Sequence, residues 1–150
     1  MKDSFTTIYA RYRKAAGFTQ EYAAEALGVS VRTVAAWESG ESIPPDLRVM
    51  SMVDLYGAPA LGLEHLRATS AIGRDVLPAV TAVPLPQAVC QLCAAIRRIR
   101  EDRTEDELLE IAADGRVDEL EANRFAALVE ALEPVMAAVL SLKLAEQEGG

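Results

Sequence analysis

The sequence predicts an all-α protein made of two helical halves joined by a linker. Alanine and leucine dominate while β-branched residues rarely cluster, so helix propensity is favourable almost throughout. Capping residues and glycines punctuate the chain at helix-length intervals. Between Thr69 and Pro86, small residues, a glycine and three prolines leave no helical or strand periodicity. The expected organisation is a first domain over 1–68, a linker over 69–85 and an acidic helical domain over 86–150.

The first half reads as five helices. One begins near Phe5 and is ended by Gly17. Thr19 can cap a second, "QEYAAEAL", that stops at Gly28, and Ser30 can cap a third that runs to Gly40. Pro44 and Pro45 introduce "DLRVMSMVDLYG", because proline's missing N–H costs nothing at a helix start. A short fifth helix is expected from Leu61 to about Ala68.

The second half resumes after the linker as a helical hairpin or bundle. "PQAVCQLCAAIRRI" places Val89, Leu92, Cys93, Ile96 and Ile99 on one stripe. Thr104 and Glu107 stand at capping-box spacing ahead of "TEDELLEIAA", as do Asp118 and Glu121 ahead of "DELEANRFAALVEALE". Pro134 is expected to open a last helix, "PVMAAVLSLKLAEQ", apolar over much of its surface. The residues Val135, Met136, Val139, Leu140, Leu142 and Leu144 give that helix more apolar surface than one hairpin covers, which suits a symmetric dimer.

Composition narrows the function classes. With 51% hydrophobic and only 5% aromatic residues, small aliphatic side chains must fill one modest core or two small ones. The net charge of −8 opposes nucleic-acid binding in general, since phosphates repel an acidic protein. Its distribution softens that objection: residues 1–70 carry 7 basic and 8 acidic side chains, whereas residues 71–150 carry 8 and 15. The start of the chain has no apolar signal segment, and residues 76–96, though uncharged, are broken by Pro78, Pro84 and Pro86, against a membrane helix. Two cysteines do not make a disulfide framework, so a reducing, cytoplasmic setting is expected.

Between Gln20 and Glu38 the spacing fits two helices crossing at a tight turn. Ala24 is small where they approach, Gly28 can take the left-handed turn conformation, and Val34 can plug the second helix into the core. Through "TQEYAAEALGVSVRTVAAWESG", with "YRKAAGF" before it and "IPPDLRVMSMVDLYG" after, residues 5–60 resemble the Cro and phage-repressor (XRE-type) helix-turn-helix family. The resemblance implies that Gln20 touches phosphate or a nearby base and that Ser30, Val31, Arg32, Thr33, Ala35 and Ala36 face the major groove. It also implies a scaffold ion pair between Arg13 and Glu38. Arg11, Lys14, Arg32 and Arg48 are the phosphate candidates. Arg32 can donate two bonds to a guanine edge, and Val31 or Ala35 can lie on a thymine methyl. Direct readout would be thin, leaving phosphate contacts, DNA shape and dimer spacing to supply the rest. Glu41 departs from the family, which often carries a basic residue there.

Other constellations have blander readings. Cys90 and Cys93 lack a second ligand pair, so they are expected as core cysteines. In "EIAADGRVDELE", Ala112 occupies a calcium-loop ligand position, and a DG turn is expected instead. "RRIRED" is expected to form internal salt bridges on a solvated helix. His65, near a helix end, is expected at the surface. No nucleophile–base set or phosphate loop appears, so neither an enzyme nor a cofactor is expected. The sequence therefore predicts a transcriptional regulator, a repressor by resemblance, that binds double-stranded DNA and pairs through its C-terminal helices. The alternative is a protein-interaction module, antirepressor-like or antitoxin-like, that has lost base reading.

Overall fold

The computed structural model describes residues 3–145, where every regular element is helical and no strand element occurs. In chain order these are α1 (Asp3–Ala15), α2 (Gln20–Leu27), α3 (Val31–Ser39), α4 (Asp46–Tyr56), α5 (Pro59–Thr69), α6 (Ala71–Val76), α7 (Leu85–Glu101), α8 (Thr104–Ile111) and α9 (Ala122–Leu144). A 3-10 turn, Ala112–Asp114, follows α8. The chain forms two compact units, Met1–Ala79 and Val80–Gly150.

In the first unit the predicted punctuation operates as expected. Thr19 and Ser30 accept backbone N–H bonds at the starts of α2 and α3, and Gly28 and Gly40 end those helices in the left-handed conformation. Ile8, Tyr9, Ala23, Ala24, Val34, Trp37, Met52 and Leu61 meet in one continuous core. Two features differ from the sequence reading. The fifth helix is a full 11 residues, Pro59–Thr69, and a sixth, α6, occupies part of the predicted linker. Ser70 caps α6, and Gly73 lets it lie directly on α5: a Cβ there would come within 2.6 Å of the Leu66 carbonyl oxygen. Sequence periodicity could not reveal so short a helix, because its one buried residue is that glycine.

His65 is the other departure. It is buried, not superficial, with Nδ1 2.7 Å from the Tyr9 hydroxyl and Nε2 3.1 Å from Asp46 Oδ1. This chain of polar contacts ties α1 and α5 to the first residue of α4. Burial, reinforced by Asp46, pushes the Tyr9 phenol up to about 12, so it remains a hydrogen-bond donor.

In the second unit α7 packs mainly on α9, with α8 touching both. Arg124, near the start of α9, bonds Glu107 and Glu110 of α8, which itself begins just beyond the end of α7. The start of α9 thus lies by the end of α7, and α9 runs back along it as a hairpin. Asp118 and Glu121 make the expected reciprocal bonds, Asp118 Oδ1 accepting from the Glu121 N–H at 2.9 Å and Glu121 Oε2 from the Asp118 N–H at 3.3 Å, but in the turn before α9, whose cap position is Glu121 and whose first residue is Ala122. The DG turn is present, with Gly115 left-handed and Asp114 accepting from the Arg116 N–H.

Four expectations fail in this unit. Thr104 does not cap α8; Arg103, in the left-handed conformation, holds the cap position and Thr104 is the first helical residue, buried. Pro134 does not begin a helix but lies within the 23-residue α9. Its side is exposed, so the Glu130 carbonyl it leaves unbonded can turn to water and the helix continues. Cys90 and Cys93 are both exposed thiols, not core residues. Arg97, Arg98 and Arg100 are exposed, and the ion pairs found near them join other residues, Arg103 to Asp106 and Arg124 to Glu107 and Glu110. The end of the last predicted helix, 146–147, lies outside the described residues.

Candidate nucleic-acid interface

The candidate surface is the outer side of α3, and its placement starts with two inward residues. Val34 is 1% exposed and Trp37 6%, both seated in the core against Ala23 and Ala24 of α2. Helical periodicity then turns Arg32, Ala35, Ala36 and Ser39 away from the core, with Val31 beside them. Val31, Arg32 and Ser39 are exposed, while Thr33, Ala35 and Ala36 are half-buried at the flanks.

The first turn of α3 carries the polar groups. Ser30 Oγ accepts the Thr33 N–H at 3.1 Å and lies 2.8 Å from Thr33 Oγ1. The two hydroxyls thus hold each other at the helix N-terminus, where unpaired backbone N–H groups and the helix dipole favour a phosphate. The Arg32 side chain has no hydrogen-bond partner among the described residues, so it is free to extend from this turn.

Behind α3 stands a buried electrostatic clamp. Arg13 donates from Nε and Nη2 to the two carboxylate oxygens of Glu38 at 2.5 and 2.8 Å, and from Nη1 to the Phe18 carbonyl at 2.6 Å. Gln20 Nε2 adds a bond to Glu38 Oε2 at 2.8 Å. Burial pushes the Glu38 carboxyl up, but the bonds from Arg13 and Gln20 and the adjacent guanidinium outweigh it and hold it below the ordinary carboxylate value. The bond that Arg13 donates to Glu38 likewise raises its guanidinium further. One fork-to-fork pair therefore fixes the α1–α2 turn, the first residue of α2 and the last turn of α3.

The other expected contact residues are more committed than sequence spacing indicates. Arg11 is ion-paired with Glu64, which also accepts from the Tyr12 hydroxyl at 2.7 Å. Arg48 Nη1 donates to the Leu27 carbonyl at 2.7 Å, closing the end of α2. Gln20 spends one amide hydrogen on Glu38 and keeps the other. Lys14 is exposed on α1, and Glu41 is exposed just after α3. Ser30, Arg32 and Thr33 are thus brought together on one turn, whereas Arg11 and Arg48 lie on other helices and hold the scaffold. Ser39 shares the outward line of Arg32, seven residues on; the i, i+4, i+7 spacing carries that signal.

Residues 10–63 match the family model described as helix-turn-helix. No curated protein and no solved structure matched the chain. The matched span opens in α1 and closes in α5, so it encloses the clamp, the α2–α3 crossing and the outward face of α3. Residues 10–63 are thus similar to the helix-turn-helix family, a DNA-binding kind used in transcription regulation, in agreement with the sequence resemblance.

Proposed function

We propose that the chain is a cytoplasmic transcriptional repressor that reads an operator through α3. The observation that carries this is the outward first turn of α3, with Ser30, Arg32 and Thr33 presented together on a buried frame inside a matched helix-turn-helix domain. In this reading the helix start and the Ser30 and Thr33 hydroxyls meet backbone phosphate, and Arg32 reaches a guanine edge. Val31, Ala35 and Ala36 supply apolar contact to thymine methyls. Gln20, Lys14 and the unspent N–H groups of Arg11 and Arg48 add phosphate contacts at the rim. Residues 1–68 are the reading domain, the segment 69–85 connects it, and residues 86–150 pair two chains so that two α3 helices reach a palindromic site about 34–36 Å apart.

Selection from random duplexes at two salt concentrations tests the proposal, with wild type beside Arg32→Ala. The expected result is a palindromic motif whose preference at one base pair per half-site relaxes in the variant by about 1–3 kcal/mol, tenfold or more. Salt-sensitive binding with no selected motif, or no binding at all, would overturn it.

A second reading has its own support. Arg11 and Arg48 are engaged within the domain, and Val31, Ala35, Ala36 and Glu41 offer DNA little. Those features favour a protein-interaction module, antirepressor-like or antitoxin-like, and failure to bind any duplex would move the account to it.

A further inference from the structure

The second unit presents an apolar face that its own helices leave uncovered. On α9 two stripes run at coiled-coil spacing. Leu128, Val135, Ala138 and Leu142 form the inner one, buried or half-buried against the hairpin. Phe125, Val129, Leu132, Met136 and Val139 form the other, at intervals of four and three. Phe125, Val129, Met136 and Val139 are 37%, 46%, 41% and 40% exposed.

The same division appears on α7. Ala88, Leu92, Ala95 and Ile99 face α9, while Leu85, Val89 and Ile96 are 45%, 44% and 39% exposed and Cys93 flanks them. The single stripe expected over 89–99 is thus two. On each helix the outer stripe lies about 90° around from the inner one, in the same rotational sense. Because the two helices run in opposite directions, both outer stripes emerge on one side of the hairpin.

We propose that this face binds the same face of a second copy of the chain, closing a four-helix bundle of two α7 and two α9 helices. The proposal deepens the reading of residues 86–150 as the pairing region and rests on it. Three observations select a second copy. The 4,3 spacing is that of knobs packing into holes, which requires helices as partners. The area fits: α7 is about 25 Å long and two helix widths span about 20 Å, so the face is about 500 Å² in projection. That projection is a lower bound on its accessible area, against about 800 Å² per partner in a stable interface. Finally, Arg100 continues the α7 stripe and Glu133 borders the α9 stripe, giving the face a polar rim of both signs that self-pairing tolerates. A bilayer fits less well. Although α9 has the length and mean hydropathy of a spanning helix, Glu130 and Glu133 lie near its middle.

The test uses the full chain, in which Cys90 and Cys93 serve as built-in probes. Cys93 flanks the outer stripe, whereas Cys90 lies farther around α7. Sedimentation should give the mass of two chains at micromolar concentration. A thiol reagent should modify Cys90 rapidly and Cys93 at least about tenfold more slowly, since burial blocks the thiolate from reaction. Val129→Lys with Met136→Lys should raise the dimer Kd about a hundredfold or more by placing charges in the seam. Unchanged helicity in the variant would show that the hairpin persists, and Cys93 should then react as fast as Cys90. A wild-type mass of one chain overturns the proposal, as does equal reactivity of the two thiols in a wild-type dimer. So does binding to phosphatidylglycerol vesicles as single chains. Duplex selection by the same preparations separates the readings: single chains that select a half-site contradict pairing alone, and pairs that select nothing contradict DNA reading alone.

Discussion

The two units solve the problem of burying apolar surface in different ways. The first builds its core from large side chains, although Ile43, Leu47, Met50 and Ile72 stay more than half exposed. Tyr9, Val34, Met52 and Leu61 are each 2% exposed or less, and its polar interior is matched by partners, Arg13 with Glu38 and His65 with Tyr9 and Asp46. The second buries mostly small side chains, Ala88, Ala138 and Ala145 with Ile111 and Leu128, and leaves larger ones such as Phe125, Val129 and Met136 partly in water. Alanine contacts let helices approach closely but contribute little burial each, since stabilisation scales with apolar area removed from water. The difference lies in core composition: large side chains fill the first core, whereas small ones in the second leave the outer stripes of α7 and α9 uncovered.

Trp37 is the protein's single tryptophan and lies in the first unit, so its fluorescence follows that unit alone while helicity follows both. The largest way to break the contrast is Arg13→Ala. It strands the Glu38 carboxylate in the core and should cost the first unit about 3–5 kcal/mol, seen as an early Trp37 transition in denaturant. A later helicity transition should keep its wild-type midpoint.

Acid should weaken the same clamp. Because Glu38 is held below the ordinary carboxylate value in the folded state, its contribution is complete above that ordinary value and disappears as pH falls through the lower, folded one. The Trp37 transition should therefore move to lower denaturant progressively as pH falls below the ordinary carboxylate range. A midpoint independent of pH below that range would contradict the clamp.

Gly73→Ala should have an intermediate effect. The new methyl meets the Leu66 carbonyl, so α6 must lift from α5 at about 1–3 kcal/mol, the cost of overpacking. Hydrogen exchange should accelerate over residues 71–76 and stay unchanged in α7 to α9. The smallest effect is expected from Arg11→Ala, whose ion pair with Glu64 is partly exposed and should be worth less than about 1 kcal/mol. If DNA affinity nevertheless fell more than about tenfold, Arg11 would be a principal phosphate contact and not a scaffold residue.

What the sequence reveals follows from how local each cause is. Thr19, Gly28, Ser30 and Gly40 act on backbone groups within four residues, so the α2–α3 crossing is legible directly, as are Ala24 and Val34 from their spacing. The outward residues of α3 follow from the same periodicity. Effects that depend on distant packing are not legible. His65 is buried because Tyr9, 56 residues away, and Asp46 receive its two ring nitrogens. Arg11 and Arg48 find partners 53 and 21 residues away, which their appearance as surface cations conceals. Pro134 carries a local start signal that α9 overrides, and the exposure of Cys93 depends on which of two overlapping stripes meets α9.

The most direct test of the account is the number of chains bound to a selected duplex, measured by sedimentation with a complete palindrome and with a single half-site. Two chains should occupy the palindrome. Binding to the half-site should be at least about a hundredfold weaker, and affinity should fall when five base pairs are inserted between half-sites to turn them to opposite faces, half of the 10–10.5 bp helical repeat. One chain per palindrome, with half-site affinity equal to that of the whole and no response to spacing, would contradict it.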